Sequence, residues 1–195
     1  FLPVVAHAQD IAGTAVDMAE EFRDLPISST IRILVILTTI SFVPAMLLAM
    51  TPFTRFVIVL SMLRQAVGLQ QSPPNMVVIG ISLFLSMMVM ETTFDQVYDV
   101  AIFPFMEGDL EPLEAFRLFM EPMRDFMLSN TRKEDLNVMI NIANVPSPES
   151  VADIPHSVVI SSFILSELKT AFVIGVKIYL PFLIIDVITA NILLG

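Results

Sequence analysis

The sequence predicts an all-α protein in which two apolar helical hairpins, at about 31–90 and 157–195, flank an acidic helical insert at 91–155. Three observations carry this. The apolar runs have the length of helices and are interrupted by prolines and loop signals. The insert repeats its apolar residues at helical spacing. Hydrophobic residues make up 55% of the chain against 15% charged, with a mean hydropathy of +0.80. Soluble domains carry about 25% charged residues, so this composition belongs to a membrane protein or to the greasy subunit of a larger assembly.

The same composition excludes several classes. The apolar content rules out a disordered chain, and 6 glycines rule out collagen-like or Gly/Ser-rich classes. A net charge of −10 would be repelled by nucleic-acid phosphates. With no cysteine there is no disulfide framework, thiolate nucleophile or cysteine-based zinc site. His7 and His156 are the only histidines and do not form a metal pair. No HExxH, GxSxG, P-loop or GxGxxG occurs, and no carboxylates fall in EF-hand spacing. The expectation is therefore no enzyme, no catalytic residue, no cofactor and no metal.

In chain order, residues 1–30 read as a signal-peptide remnant followed by an acidic segment. Ala6-His7-Ala8 after a short apolar run resembles the small-residue box before a cleavage site. A short amphipathic helix is expected over Ile11–Phe22, broken at Asp24-Leu25-Pro26. The first apolar hairpin, 31–90, opens with Ile33–Met50, 18 residues or roughly 27 Å of helix. Thr51 or Thr54 could cap the next helix, which carries Arg55 and Arg64. Gln70-Gln71-Ser72-Pro73-Pro74-Asn75 is a loop. Met76–Met90 follows, about 22 Å long and short for a span, as helices buried in protein tend to be.

The insert, 91–155, holds thirteen acids against four bases, net −9, a run that reads as a solvated face. Pro112 after Glu111 opens a helix in its first turn. Leu113, Phe116, Met120, Met123 and Phe126-Met127 then form an amphipathic stripe. Thr131-Arg132-Lys133-Glu134 reads as a capping box before Leu136, Met139 and Ile142. Pro146, Pro148 and Pro155 mark a linker, with His156 a solvated loop residue. The second apolar segment, 156–195, is interrupted by Pro181 and reads as continuing past Gly195.

That last segment carries Glu167, Lys169, Lys177 and Asp186. Four charges facing lipid could cost on the order of 10 kcal/mol, so the charges are expected to pair inside a protein core or line a watery path, or the segment to sit outside the bilayer altogether. Glu167 and Lys169 are two apart and share no helix face, so their partners lie on other helices or other chains. Arg55 and Arg64, nine apart, point opposite ways. Lys177 is as well explained by snorkelling. The methionines, among them Met87, Met88, Met90, Met120, Met123 and Met127, read as adaptable packing.

Three blocks carry a family resemblance. Phe53-Thr54-Arg55 leads through Leu63-Arg64-Gln65-Ala66-Val67-Gly68 to Gln70-Gln71-Ser72-Pro73-Pro74-Asn75. Ser166-Glu167-Leu168-Lys169-Thr170-Ala171-Phe172 leads through Ile174-Gly175 to Pro181-Phe182-Leu183-Ile184-Ile185-Asp186. Arg124 to Asp135 lies between them. Together they resemble the flagellar biosynthetic protein FliP family over about residues 31–195. Ser161-Ser162, Val173, Val176, Lys177 and Met139 depart from the family's usual residues, which bears on local packing and pore lining.

The resemblance implies a core subunit of the flagellar type III protein export gate. Several copies would assemble with FliQ-like and FliR-like partners in the inner membrane, at the flagellar basal body. They would form a gated conduit for unfolded flagellar proteins, with helices largely on the periplasmic side of the membrane plane. A methionine-rich sealing loop would lie beyond Gly195. By match to the family, Phe126 and Glu167 become candidates for the pore wall or subunit contacts, and Arg55, Arg64 and Lys169 for buried intersubunit ion pairs. Phe126 also fits the core as part of its stripe. The virulence injectisome's counterpart subunit, a basal-body scaffold without a conduit, and a proton-coupled transporter using Glu167, Lys169 and Asp186 as a relay are the alternatives.

Overall fold

The computed structural model describes residues 29–68, 72–145 and 150–195. The signal-like start, the helix expected over Ile11–Phe22 and the prolines at 146 and 148 lie outside the described residues. The chain divides into two compact units, Phe1–Leu47 and Leu48–Gly195. Among the described residues every regular element is helical.

In the first unit the described element is α1, Ser29–Ala49, whose last two residues belong to the second unit. It runs through Pro44 without stopping. Thr38 and Ser41 turn their hydroxyls back onto the carbonyls of Leu34 and Leu37, at 2.6 and 2.7 Å, so that an apolar helix satisfies its own polar groups. Ile33, Leu37 and Phe42 are exposed.

The first helix lying wholly in the second unit is α2, Phe53–Ala66. Thr51 serves its start: the hydroxyl accepts from the Phe53 N–H at 3.3 Å and donates to the Leu48 carbonyl at 2.8 Å. After the Pro73-Pro74 break, α3 spans Asn75–Val89 and packs on α2. Then α4, Glu91–Val97, a π-turn at Tyr98–Ile102 and α5, Phe103–Glu107, form one continuous helical run. Pro104 explains the π-turn. It has no N–H for the preceding turn and its ring crowds the carbonyl four residues back, so the helix widens and Phe103 bonds to Tyr98 instead. Gly108, at φ +84°, then ends the run in the left-handed region that only glycine adopts freely.

α6, Pro112–Ser129, begins at the expected proline and buries Met123, Phe126 and Met127 from its stripe. α7 spans Lys133–Ile142. No capping box opens it. The Thr131 hydroxyl donates back to the Met127 carbonyl at 2.6 Å, closing α6 rather than starting α7. A capping box does occur at the short 3-10 turn Val151–Asp153, where Ser150 and Asp153 bond reciprocally.

α8, His156–Leu194, is one uninterrupted helix of 39 residues, about 58 Å long. Where a second hairpin was expected there is no turn. Pro181 is carried inside the helix, and no loop residues gather beside it to break the chain. Among the described residues α8 is long and apolar enough to cross a membrane; α3 with the α4–α5 run also qualifies as a broken span, bent by 65°.

The core lies where α4, α6 and the first turns of α8 meet. It contains Met50, Met90, Val97, Met123, Phe126, Met127, Ile154, Val158, Val159 and Phe163. Four of these ten are methionines, whose flexible thioethers fill the irregular space between helices crossing at several angles. Along the other side of α8, α2 approaches closely at Gly175. A Cβ there would fall 2.1 Å from the Met62 sulfur, so the absent side chain is what admits α2.

Candidate functional site: a charged junction on the long helix

One stretch of α8, Ser166 to Thr170, joins four polar contacts to two other parts of the chain. Glu167 faces α2, where its Oε2 lies 3.2 Å from Arg55 Nε. The carboxylate is 3% exposed and the guanidinium 22%. Arg55 also lies over the Phe56 ring, 5.4 Å from its centroid. Lys169, on the opposite side of the helix, pairs with Asp135 of α7, a carboxylate only 1% exposed. The main-chain N–H of Arg132 donates to Ser166 Oγ at 3.1 Å, and Arg132 Nη2 donates to Thr170 Oγ1 at 3.1 Å. Thus α8 is held between α2 and the start of α7.

Two residues apart on a helix means about 200° of rotation, which is why Glu167 and Lys169 engage different neighbours. Both pairs are made within one chain. Their chemistry is that of positioning. Each pair joins a buried carboxylate to a more exposed cation, Lys169 at 49% and Arg55 at 22%; such pairs add little net stability, yet removing the cation strands a buried carboxylate. Satisfaction is incomplete: Asp135 Oδ2 and Glu167 Oε2 are buried without a hydrogen bond of good geometry.

The other sequence candidates are placed as follows. Phe126 is a core residue, 9% exposed, meeting Phe163 edge-on with centroids 6.0 Å apart. Arg64 faces α3 instead of α8, and its Nη1 donates to the Pro73 carbonyl at 3.1 Å and to Asn75 Oδ1 at 2.7 Å. The two arginines of α2 therefore do point to different neighbours. Asp186 is exposed and lies 17 residues along α8 from Lys169, about 25 Å, so Glu167, Lys169 and Asp186 are not brought together. Lys177 is exposed. Among the described residues no three His, Asp or Glu side chains gather as a metal-binding set.

Sequence reasoning missed two residues. Asp135, counted in a solvated run, is buried against Lys169. Arg124 fastens the 3-10 turn to α6: its Nη2 donates to the carbonyls of Val151 at 2.7 Å, Ile154 at 2.8 Å and Ala152 at 3.3 Å. Its Nη1 lies 3.3 Å from His156 Nδ1, at the start of α8. Main-chain acceptors some 30 residues away carry no sequence signature.

These features define a largely apolar protein, helical in every regular element among the described residues, that buries the carboxylates of its ion pairs and leaves many aliphatic side chains exposed. The chain belongs to the FliP family, whose model matches residues 36–195. It is 44% identical over 169 residues to the flagellar biosynthetic protein FliP of Bacillus subtilis (strain 168), covering 87% of this chain and 76% of that one. It is 45% identical over 168 residues to the protein of the same name from Aquifex aeolicus (strain VF5), covering 85% and 70%. Against that from Caulobacter vibrioides (strain ATCC 19089 / CIP 103742 / CB 15) it is 36% identical over 199 residues, covering 100% and 72%.

Proposed function

We propose that this chain is a core subunit of the flagellar type III protein export gate. Several copies, with FliQ-like and FliR-like partners, form a gated conduit for unfolded flagellar proteins across the bacterial inner membrane, with much of the chain on the periplasmic side. The observation that carries this reading is family membership across residues 36–195, which takes in the charged junction and all of α8.

The outward apolar surface supports it. Phe84 is 68% exposed and Ile192 73%, and the outer faces of α3 and α8 are apolar along most of their length. Monomeric soluble proteins rarely leave so much apolar surface open; lipid and neighbouring subunits would cover it. In this role the Arg55–Glu167 and Lys169–Asp135 pairs hold α2, α7 and α8 in fixed register, giving each copy a rigid wall. The sequence has no phosphate-binding motif, so in this reading the driving energy comes from other components.

The test is co-expression of the chain, within its full-length protein, with the two small partners, followed by the native mass of the detergent-extracted complex. A discrete particle holding several copies of this chain is expected. A stable monomer or dimer that never recruits the partners would overturn the conduit.

A further inference from the structure

Between α2 and α3 lies an apolar groove of about 260 Å³, walled by Leu60, Leu63, Val67, Pro73 and Ile81, with Arg64 as its charged lining residue. A second cleft of about 350 Å³ shares Arg64 and Val78 but is otherwise more polar, with Ser61, Gln65 and Asn75 in its wall. Arg64 therefore stands at the seam, the wall shared by two mainly apolar recesses. Its hydrogen bonds both leave from Nη1, while Nε is buried with no acceptor. The ion pairs found among the described residues involve Arg55 and Lys169, and none gives Arg64 a carboxylate. An arginine keeps its proton, and with Nη1 engaged and Nε buried, Nη2 is the nitrogen left to meet an anion from outside the chain.

We propose that this seam binds an anionic phospholipid, with the phosphate on the Arg64 guanidinium and an acyl chain along the groove. Nη2 can donate a charge-assisted hydrogen bond to a phosphate oxygen, and an apolar groove beside a lone cation matches an amphiphile. The neighbouring surface of α3 is apolar and open, with Met76 79% and Ile79 44% exposed. A carboxylate from a second copy would answer the charge but leave the groove empty; a lipid answers both. The inference rests on the membrane residence in the reading above and not on the conduit.

The experiment uses the co-expressed, detergent-extracted complex, exposed to phosphatidylglycerol or phosphatidylcholine and weighed by native mass spectrometry. Retention of phosphatidylglycerol severalfold above phosphatidylcholine is expected. Arg64→Gln should lower it at least fivefold, and Arg64→Lys less. Leu63→Trp fills the groove from a position already 37% exposed and leaves the charge in place, so it should also lower retention and decides the matter if Arg64→Gln fails to fold. An intact complex that holds no lipid, or equal retention in the parent and Leu63→Trp, overturns the proposal. So does displacement by inorganic phosphate alone, which would mean a free-anion site. Loss of oligomer in Arg64→Gln with lipid retention unchanged in Leu63→Trp would assign Arg64 to a neighbouring copy's carboxylate and overturn it too. A chain absent from the membrane fraction sinks the functional reading itself, a separate result.

Discussion

From His156 to Gly175, α8 buries Val158, Val159, Ser162, Phe163, Ser166, Glu167, Ala171 and Gly175; from Val176 to Leu194 it buries nothing, and Ile184, Ile188 and Leu193 are more than half exposed. Both halves are strongly apolar, so hydropathy does not separate them. The pattern does. Val159, Phe163, Glu167, Ala171 and Gly175 recur every four residues, mixing small, polar and large side chains to suit particular neighbours. The second half carries eleven Val, Ile or Leu among its nineteen residues, with Lys177 and Asp186 as its charges. At 19 residues it is about 28 Å long, close to the roughly 30 Å of a hydrocarbon core. One half is shaped by the chain's own helices and the other is left for lipid or other subunits.

The sharpest way to break that comparison is to remove one charge from each half. Glu167→Ala leaves Arg55, 22% exposed, without its partner, and a loss of about 1–3 kcal/mol is expected. Asp186→Asn, in the exposed half, should stay within about 0.5 kcal/mol. Thermal unfolding of the detergent-extracted protein compares them, and equal shifts would mean that the halves do not differ. Next comes close packing. Gly175→Val drives a side chain into Met62 and should cost about 1–3 kcal/mol. Met62→Ala in the same chain should recover part of that loss, a coupling that a double-mutant cycle reads directly. Ser166→Ala removes the acceptor of the Arg132 N–H, with a loss of about 1–3 kcal/mol expected and faster hydrogen exchange at the start of α7. The smallest effect belongs to Ser150→Ala. It opens the capping box before α8 for about 1 kcal/mol, seen as faster exchange over residues 151–154.

Local rules made much of the fold legible. Pro112 marks a helix start where the sequence places it, and the helix expected from Met76 begins one residue earlier, at Asn75 after Pro73-Pro74, because proline acts on its own turn and needs no distant partner. The division of Glu167 from Lys169, and of Arg55 from Arg64, followed from helical rotation alone. What failed needed context. Pro181 reads as a break, but a long helix absorbs one proline when nothing else turns the chain. Thr131 can close one helix or open another, and only the three-dimensional spacing of α6 and α7 decides. Asp135 is indistinguishable by type from its exposed acidic neighbours until α8 brings Lys169 against it.

The most direct test of this division of α8 uses the chain's lack of cysteine. Single cysteines placed as Ser162→Cys, Ser166→Cys, Ile184→Cys and Ile188→Cys can be labelled with a water-soluble maleimide in the detergent-extracted chain, alone and in complex with its partners. The first two should stay unreactive in both states. The last two should label faster than the first two in the chain alone. Rapid labelling at 162 and 166, or labelling at 184 and 188 no faster than at 162 and 166, would contradict it.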